Sequence, residues 1–209
     1  MTRPEYDPDV DRAIAMIAVP GVLIGHRVIL PGDDAALLPA ERAALARSVD
    51  KVRRASGAAR IVARELMPQL GILPQAIPKA PSGAPVWPQG LVGSLAHDAR
   101  IAIAAIARSR DFAGIGVDVE SAAPLDADLL DMVATPAERR AIAGDLLQAR
   151  VLFAVKEAVY KSVHPLDGEF LEHHDVEVAF ATGTATIRGG RRVRFHCAMT
   201  SHIVTLALV

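Results

Sequence analysis

The chain has 209 residues, 51% of them hydrophobic, with 23 Lys and Arg against 24 Asp and Glu. That is material for one large core or two small ones, and the charge balance gives no global drive toward nucleic acid or a membrane surface, so charge-driven recognition has to be local. A single cysteine, Cys197, excludes an internal disulfide framework and zinc sites built from several thiolates.

Residues 1–11 are polar and acidic, without a secretory leader's basic and apolar regions, and residues 14–30 are interrupted by Pro20, Gly21, His26 and Arg27. No membrane span is expected, and a reducing cytoplasm is the expected compartment. Val and Ile in residues 13–30, around a Pro20-Gly21 turn, predict two early strands. Pro39 opens a short helix, and a longer amphipathic helix over residues 50–67 is ended by Pro68, Gly71 and Pro74. Residues 78–88 form a Pro-rich loop, and Gly93-Ser94 predicts a tight turn ahead of buried strands at 101–107 and 115–120. Acidic helical sequence follows over 126–145, then a strong helix over 146–163 ended near Pro165. Residues 176–180, 185–187, 193–199 and 203–209 alternate as strands, with Gly189-Gly190 as a hairpin turn.

The octamer at residues 39–46 returns at residues 136–143 with six of its eight positions identical. In both places a longer helix with basic residues follows and a strand-rich region comes later, which predicts an internal duplication of α+β units.

Three local patterns carry chemistry. On a strand, Asp118 and Glu120 share one face while Val117 and Val119 take the other. Their oxygens would stand roughly 5–7 Å apart, a repulsion of about 2–3 kcal/mol that a hard divalent cation removes. On the helix, Phe153, Glu157 and Lys161 form one stripe; it is either a surface ion pair or, beside the carboxylate strand, a third acid and a phosphate contact. His97, after Gly93 and Ser94, can donate to a phosphate that raises its pKa. Lys51, Arg53, Arg54 and Arg60 on the long helix and Lys79 in the loop could serve a ligand rich in phosphate. No Walker loop, dinucleotide glycine fingerprint or nucleophile elbow occurs.

In this order and spacing, residues 60–66 with Leu70-Gly71, 83–88, 93–97, 116–120 and 153–161 resemble the 4′-phosphopantetheinyl transferase superfamily. The likeness is to its single-chain, pseudo-dimeric branch, associated with siderophore and other secondary-metabolite carrier proteins. Ala59, Val52, Ala96 and Phe153 depart from residues common in that family. The resemblance implies an α+β fold of two similar halves in a pseudo-twofold arrangement, with the active site in the cleft between them. Residues 1–114 would supply the coenzyme A phosphate grip and residues 115–209 the metal ligands and catalytic helix. It implies Mg²⁺ held by Asp118, Glu120 and Glu157, and coenzyme A held by Arg53, Arg60, Lys79, Ser94, His97 and Lys156. Lys161 would contact the pyrophosphate and support the leaving group, and Glu157 would take a proton from the serine of an acyl or peptidyl carrier protein. A monomer would suffice, with no nucleic-acid partner. Two rivals remain, another Mg²⁺-dependent phosphoryl-transfer or pyrophosphate hydrolase enzyme and a non-enzymatic coenzyme A-binding module.

Overall fold

The computed structural model describes residues 5–209, so the first four residues of the polar N-terminal stretch lie outside it. The first element is set by its cap. The Asp7 carboxylate accepts from the Asp9 amide at 2.9 Å, and Pro8 occupies the first turn of helix α1 (Pro8–Met16). A helix thus replaces the first of the two strands expected around Pro20, because the capped N-terminus outweighs the Val and Ile content that follows. Strand β1 (Val22–Val28) begins just after Gly21, whose φ of +87° suits glycine.

With β2 (Leu91–His97) and β3 (Ile101–Arg108), β1 forms an antiparallel sheet in the order β1-β3-β2. β2 stands where a tight turn was expected at Gly93-Ser94. A Cβ at Gly93 would come within 2.5 Å of the Ala105 carbonyl oxygen and 2.8 Å of the Trp87 ring, so the glycine serves close packing inside a strand. Helices α2 (Pro39–Leu45) and α3 (Asp50–Leu66) precede β2, and α3 covers the outer face of this sheet through Val62, Ala63 and Leu66.

The second half starts with β4 (Ile115–Ser121). The acidic helical stretch breaks into the short helices α4 (Leu130–Val133) and α5 (Pro136–Ile142), and α6 (Leu146–Asp167) runs through Pro165 to stop at Gly168, φ +70°. Strands β5 (Val176–Ala179), β6 (Thr184–Ile187), β7 (Arg192–Met199) and β8 (His202–Leu208) complete a second antiparallel sheet, ordered β4-β8-β7-β6-β5. Alternation assigns the faces. Ile101 and Ile103 meet Val117, Val119, Val204 and Leu206 in a core between the sheets, while Val193, Phe195 and Ala207 pack under α6. The fold is α+β with two halves, each a sheet backed by its long helix. Among the described residues no helix is long and apolar enough to cross a membrane.

The duplicated octamer has a structural meaning. Glu41 and Glu138 are each the third residue of their helix and accept the backbone N–H at the helix start, Leu38 at 2.8 Å and Thr135 at 2.9 Å. The other oxygen takes an amide from a distant segment, Ile77 at 2.8 Å and Val178 at 3.0 Å. A cation from the following long helix closes each clamp: Arg64 bonds Glu41 and the Ala36 carbonyl, and Lys156 bonds Glu138 and the Val133 carbonyl. Both carboxylates, Glu41 buried and Glu138 half-buried, are held by two amides and a cation, as burial of charge requires.

Candidate active site

The alternation that buries Val117 and Val119 turns Gly116, Asp118 and Glu120 of β4 toward α6. The helix can lie against this face because residue 116 has no side chain: a Cβ there would stand 1.8 Å from the Ala158 carbonyl oxygen. At that distance α6 delivers two cations to the strand. Lys161 Nζ donates to Asp118 Oδ1 at 2.6 Å, and Arg150 donates to Glu120 Oε2 at 3.2 Å. Lys161 is therefore committed to Asp118 rather than to a surface pair with Glu157. The Glu157 carboxylate instead has His173 beside it, Nε2 3.2 Å from Oε1.

Burial dominates the electrostatics here. It pushes Asp118 up to about 6 against the opposing pull of Lys161, and pushes Glu120 up to about 7 with help from Asp118 and against Arg150. Burial also acts to raise Glu157, but the imidazole of His173 and the charge of Lys161 outweigh it and hold that carboxylate below its ordinary value. Lys161 is raised, since Asp118, Glu157 and Glu120 overcome its own desolvation. At neutral pH Glu157 is thus an anion, while Asp118 and Glu120 resist carrying charge together.

A divalent cation fits that resistance. Asp118 Oδ2 is buried without a hydrogen-bond partner, which makes it an oxygen in want of one. Among the described residues no group of three His, Cys, Asp or Glu side chains converges into a ready-made metal cage.

A groove leads away from Lys161, the cation that meets Asp118. Lys161, Ser94 and Leu95 line its first part with Gly83 and Pro85; Gly83, Pro85 and Leu95 continue into a second part bordered by Arg60, Lys79 and His97. His97 then borders a third with Lys51 and Arg54. Burial and the charges of Lys161 and Lys51 lower the His97 pKa, with the Asp98 backbone and carboxylate pulling the other way. On the opposite flank of Glu157, a largely apolar depression of about 470 Å³ is lined by Tyr160, Phe170, Leu171, His173 and Met132.

The structure thus gathers Asp118, Glu120, Glu157 and Lys161 at one end and Ser94, Lys79, Arg60 and His97 along the groove. Arg60 is only 5% exposed, and its Nε is spent on the Ile77 carbonyl at 2.8 Å, so it anchors the groove wall. Arg53 lies elsewhere: it bonds the Ser48 carbonyl and Asp50 and borders a separate depression with Asp34 and Arg42. The helical turn that presents Lys51 and Arg54 to His97 rotates residue 53 away. Lys156 is a correction of a different kind. Its ammonium is 1% exposed and bonded to Glu138, to the Val133 carbonyl and to the His173 carbonyl, so nothing is left for coenzyme A. Sequence reasoning missed Arg150 and His173. Arg150 was within reach, seven residues before Glu157 on the same stripe; His173 sits on an irregular segment with no periodicity to reveal it.

Comparisons with known proteins identify a family. Residues 40–107 match the family described as the 4′-phosphopantetheinyl transferase N-terminal domain, and residues 114–207 match the 4′-phosphopantetheinyl transferase superfamily. The chain is similar to 4′-phosphopantetheinyl transferase Svp of Streptomyces mobaraensis, 38% identical over 180 residues, 78% of this chain and 73% of that one. It is 41% identical to Npt of Nocardia iowensis over 145 residues, 68% of this chain and 65% of that one. It is 38% identical to PptT of Mycobacterium tuberculosis over 149 residues, 69% of this chain and 66% of that one.

Proposed function

The chain belongs to the 4′-phosphopantetheinyl transferase superfamily and is a transferase of that kind; from this premise we propose that it moves the phosphopantetheine arm of coenzyme A onto a serine of an acyl or peptidyl carrier protein, with Mg²⁺. The observation that carries the reading is the meeting of Asp118 and Glu120 with Glu157 and Lys161 at the end of a groove bordered by Lys79, His97, Lys51 and Arg54.

The reaction is attack by the serine oxygen on the β-phosphate of coenzyme A, with adenosine 3′,5′-bisphosphate as the leaving group. Glu157, an anion at neutral pH, accepts the serine proton directly or through water. Lys161 is held by Asp118 but is 28% exposed toward the groove, so its ammonium can contact the diphosphate and offset charge on the departing oxygen. His97, Lys79, Lys51 and Arg54 bind the remaining phosphates and fix the nucleotide's register. The apolar depression beside Glu157, with Tyr160 and Phe170, is suited to the pantetheine arm. Mg²⁺, held by Asp118, Glu120 and Glu157, would neutralise diphosphate charge and relieve the repulsion among the acids.

Residues 1–114 then provide the phosphate grip and residues 115–209 the acids, all in one chain, so a monomer suffices. Cytoplasmic action belongs to the same proposal; Cys197 is a free thiol. The test is mass spectrometry of carrier proteins incubated with the enzyme, coenzyme A and Mg²⁺. A phosphopantetheine mass gain supports the reading, and pyrophosphate cleavage without carrier modification rejects it.

A further inference from the structure

His173 stands beside Glu157, and the reaction as described gives its ring nitrogens no part. Its Nε2 is buried, has no aligned hydrogen-bond partner, and stands 3.2 Å from Glu157 Oε1. A buried, unpartnered ring nitrogen is costly unless it serves something. The ring is also held from two sides. It stacks on Phe153, centroids 5.4 Å apart with 27° between planes, and its own backbone carbonyl accepts from Lys156 Nζ at 2.8 Å. Lys156 is in turn locked to Glu138 at 2.7 Å. The clamp that the duplicated octamer builds therefore reaches, through one ammonium, to the segment that carries His173.

Phe153 has a second neighbour in the guanidinium of Arg150, 5.9 Å from the ring centroid, and Arg150 is the partner of Glu120. One aromatic ring thus borders the side chains that hold two of the site's acids. Phe153 and Glu157 are four residues apart on α6, so the ring that supports the imidazole and the carboxylate that meets it are fixed to the same rigid element.

We propose that His173 is a positioning residue for Glu157: stacked on Phe153 and tethered through Lys156, it holds the carboxylate by Oε1 so that the other oxygen is left to the metal and the incoming serine. This rests on the reading of Glu157 as the proton acceptor. A small rotation of either group aligns Nε2 with Oε1, and the unpartnered nitrogen is what makes that rotation favourable. Groups that orient a reacting side chain from behind act on the rate of the chemical step and leave substrate binding in the groove intact.

Three variants test it against carrier modification followed by mass. His173→Phe keeps a ring to stack on Phe153 but has no donor; His173→Gln restores an N–H near the Nε2 position without the ring; His173→Ala removes both. The inference expects His173→Phe to lower kcat about 10- to 100-fold. Because His173 also borders the depression assigned to the pantetheine arm, the KM for coenzyme A should rise, but by less than kcat falls, and the melting temperature should be unchanged. His173→Gln should recover much of the lost kcat despite a poorer stack, and in a Glu157→Gln background His173→Phe should cost nothing further. The inference is overturned if His173→Phe transfers like the parent, if His173→Gln is no better than His173→Phe, or if KM and the melting temperature move while kcat holds. Failure of the parent protein itself to modify any carrier is a different outcome, and it rejects the function rather than the role of His173.

Discussion

Gly116→Ala is the smallest change that separates the two elements of the site. The new Cβ would stand 1.8 Å from the Ala158 carbonyl oxygen and 2.8 Å from the Ser162 amide nitrogen. Both are backbone atoms, so no rotamer change relieves the clash, and α6 has to lift from β4 by about 1.5 Å before ordinary contact returns. Overpacking of this kind costs about 2–4 kcal/mol, which for a chain of this length lowers the melting temperature by roughly 5–12 °C. The rate suffers more. Asp118 with Lys161 and Glu120 with Arg150 are contacts of 2.6 and 3.2 Å made across this seam, and they do not survive such a displacement intact. A misplacement of about 1 Å in a reacting constellation costs about 100-fold. Thermal unfolding and timed carrier modification should be run together. A Gly116→Ala protein that melts and transfers like the parent would refute the view that the closeness of β4 and α6 builds the site.

Lys156→Met should lose stability by about 3 kcal/mol, because Glu138 keeps two amides but no cation against its half-buried charge, while the KM for coenzyme A in the folded fraction stays near the parent's; denaturant titration and kinetics read the two separately. In the absence of metal, Glu120 and Asp118 should add stability as pH falls, against the opposite contribution of His26 and His97, whose pKa values burial lowers. Glu120 is raised to about 7 and Asp118 to about 6 when folded, both above their ordinary values, so this stability is present at low pH and lost as pH climbs through about 4 to 7. The Glu120 part amounts to about 2 kcal/mol after allowance for its partial exposure, and Glu120→Gln should flatten the slope, as measured by urea unfolding at pH 5 and 8. Asp118→Asn should raise the Mg²⁺ concentration needed for half-maximal rate by at least about tenfold; near-parent rates at low Mg²⁺ would remove Asp118 from the metal site. His97→Ala should raise the KM for coenzyme A more than that for dephospho-coenzyme A, and an equal penalty on both would place the contact away from the 3′-phosphate.

Most of the second half was legible in the sequence. Two-residue alternation set Asp118 and Glu120 opposite Val117 and Val119, and four-residue spacing put Glu157 and Lys161 on one helix face; the structure has both. The sheet β4-β8-β7-β6-β5 follows alternation broken by Gly189-Gly190. The failures have local causes. Asp7 and Pro8 form a helix start that was passed over for the β-branched residues after it. Gly93 reads as a turn unless one knows that Trp87 and the Ala105 carbonyl crowd it, which is a tertiary fact. The family resemblance implies Lys156 as a coenzyme A contact, yet successive helix residues point about 100° apart, and Lys161 rather than Lys156 shares the stripe with Glu157. The octamer repeat was visible, but not that Glu41 and Glu138 recruit distant amides and cations, since the residues that answer them have no common spacing.

Glu157 carries the central claim, and the most direct measurement is the rate of carrier modification by Glu157→Gln, timed by mass, with coenzyme A binding followed by calorimetry on the same preparation. Gln keeps the size and hydrogen-bonding capacity of the side chain but neither its charge nor its basicity. The account predicts a folded protein that still binds coenzyme A and whose transfer falls by at least about 100-fold. A variant that binds coenzyme A and transfers at close to the parent rate would contradict it.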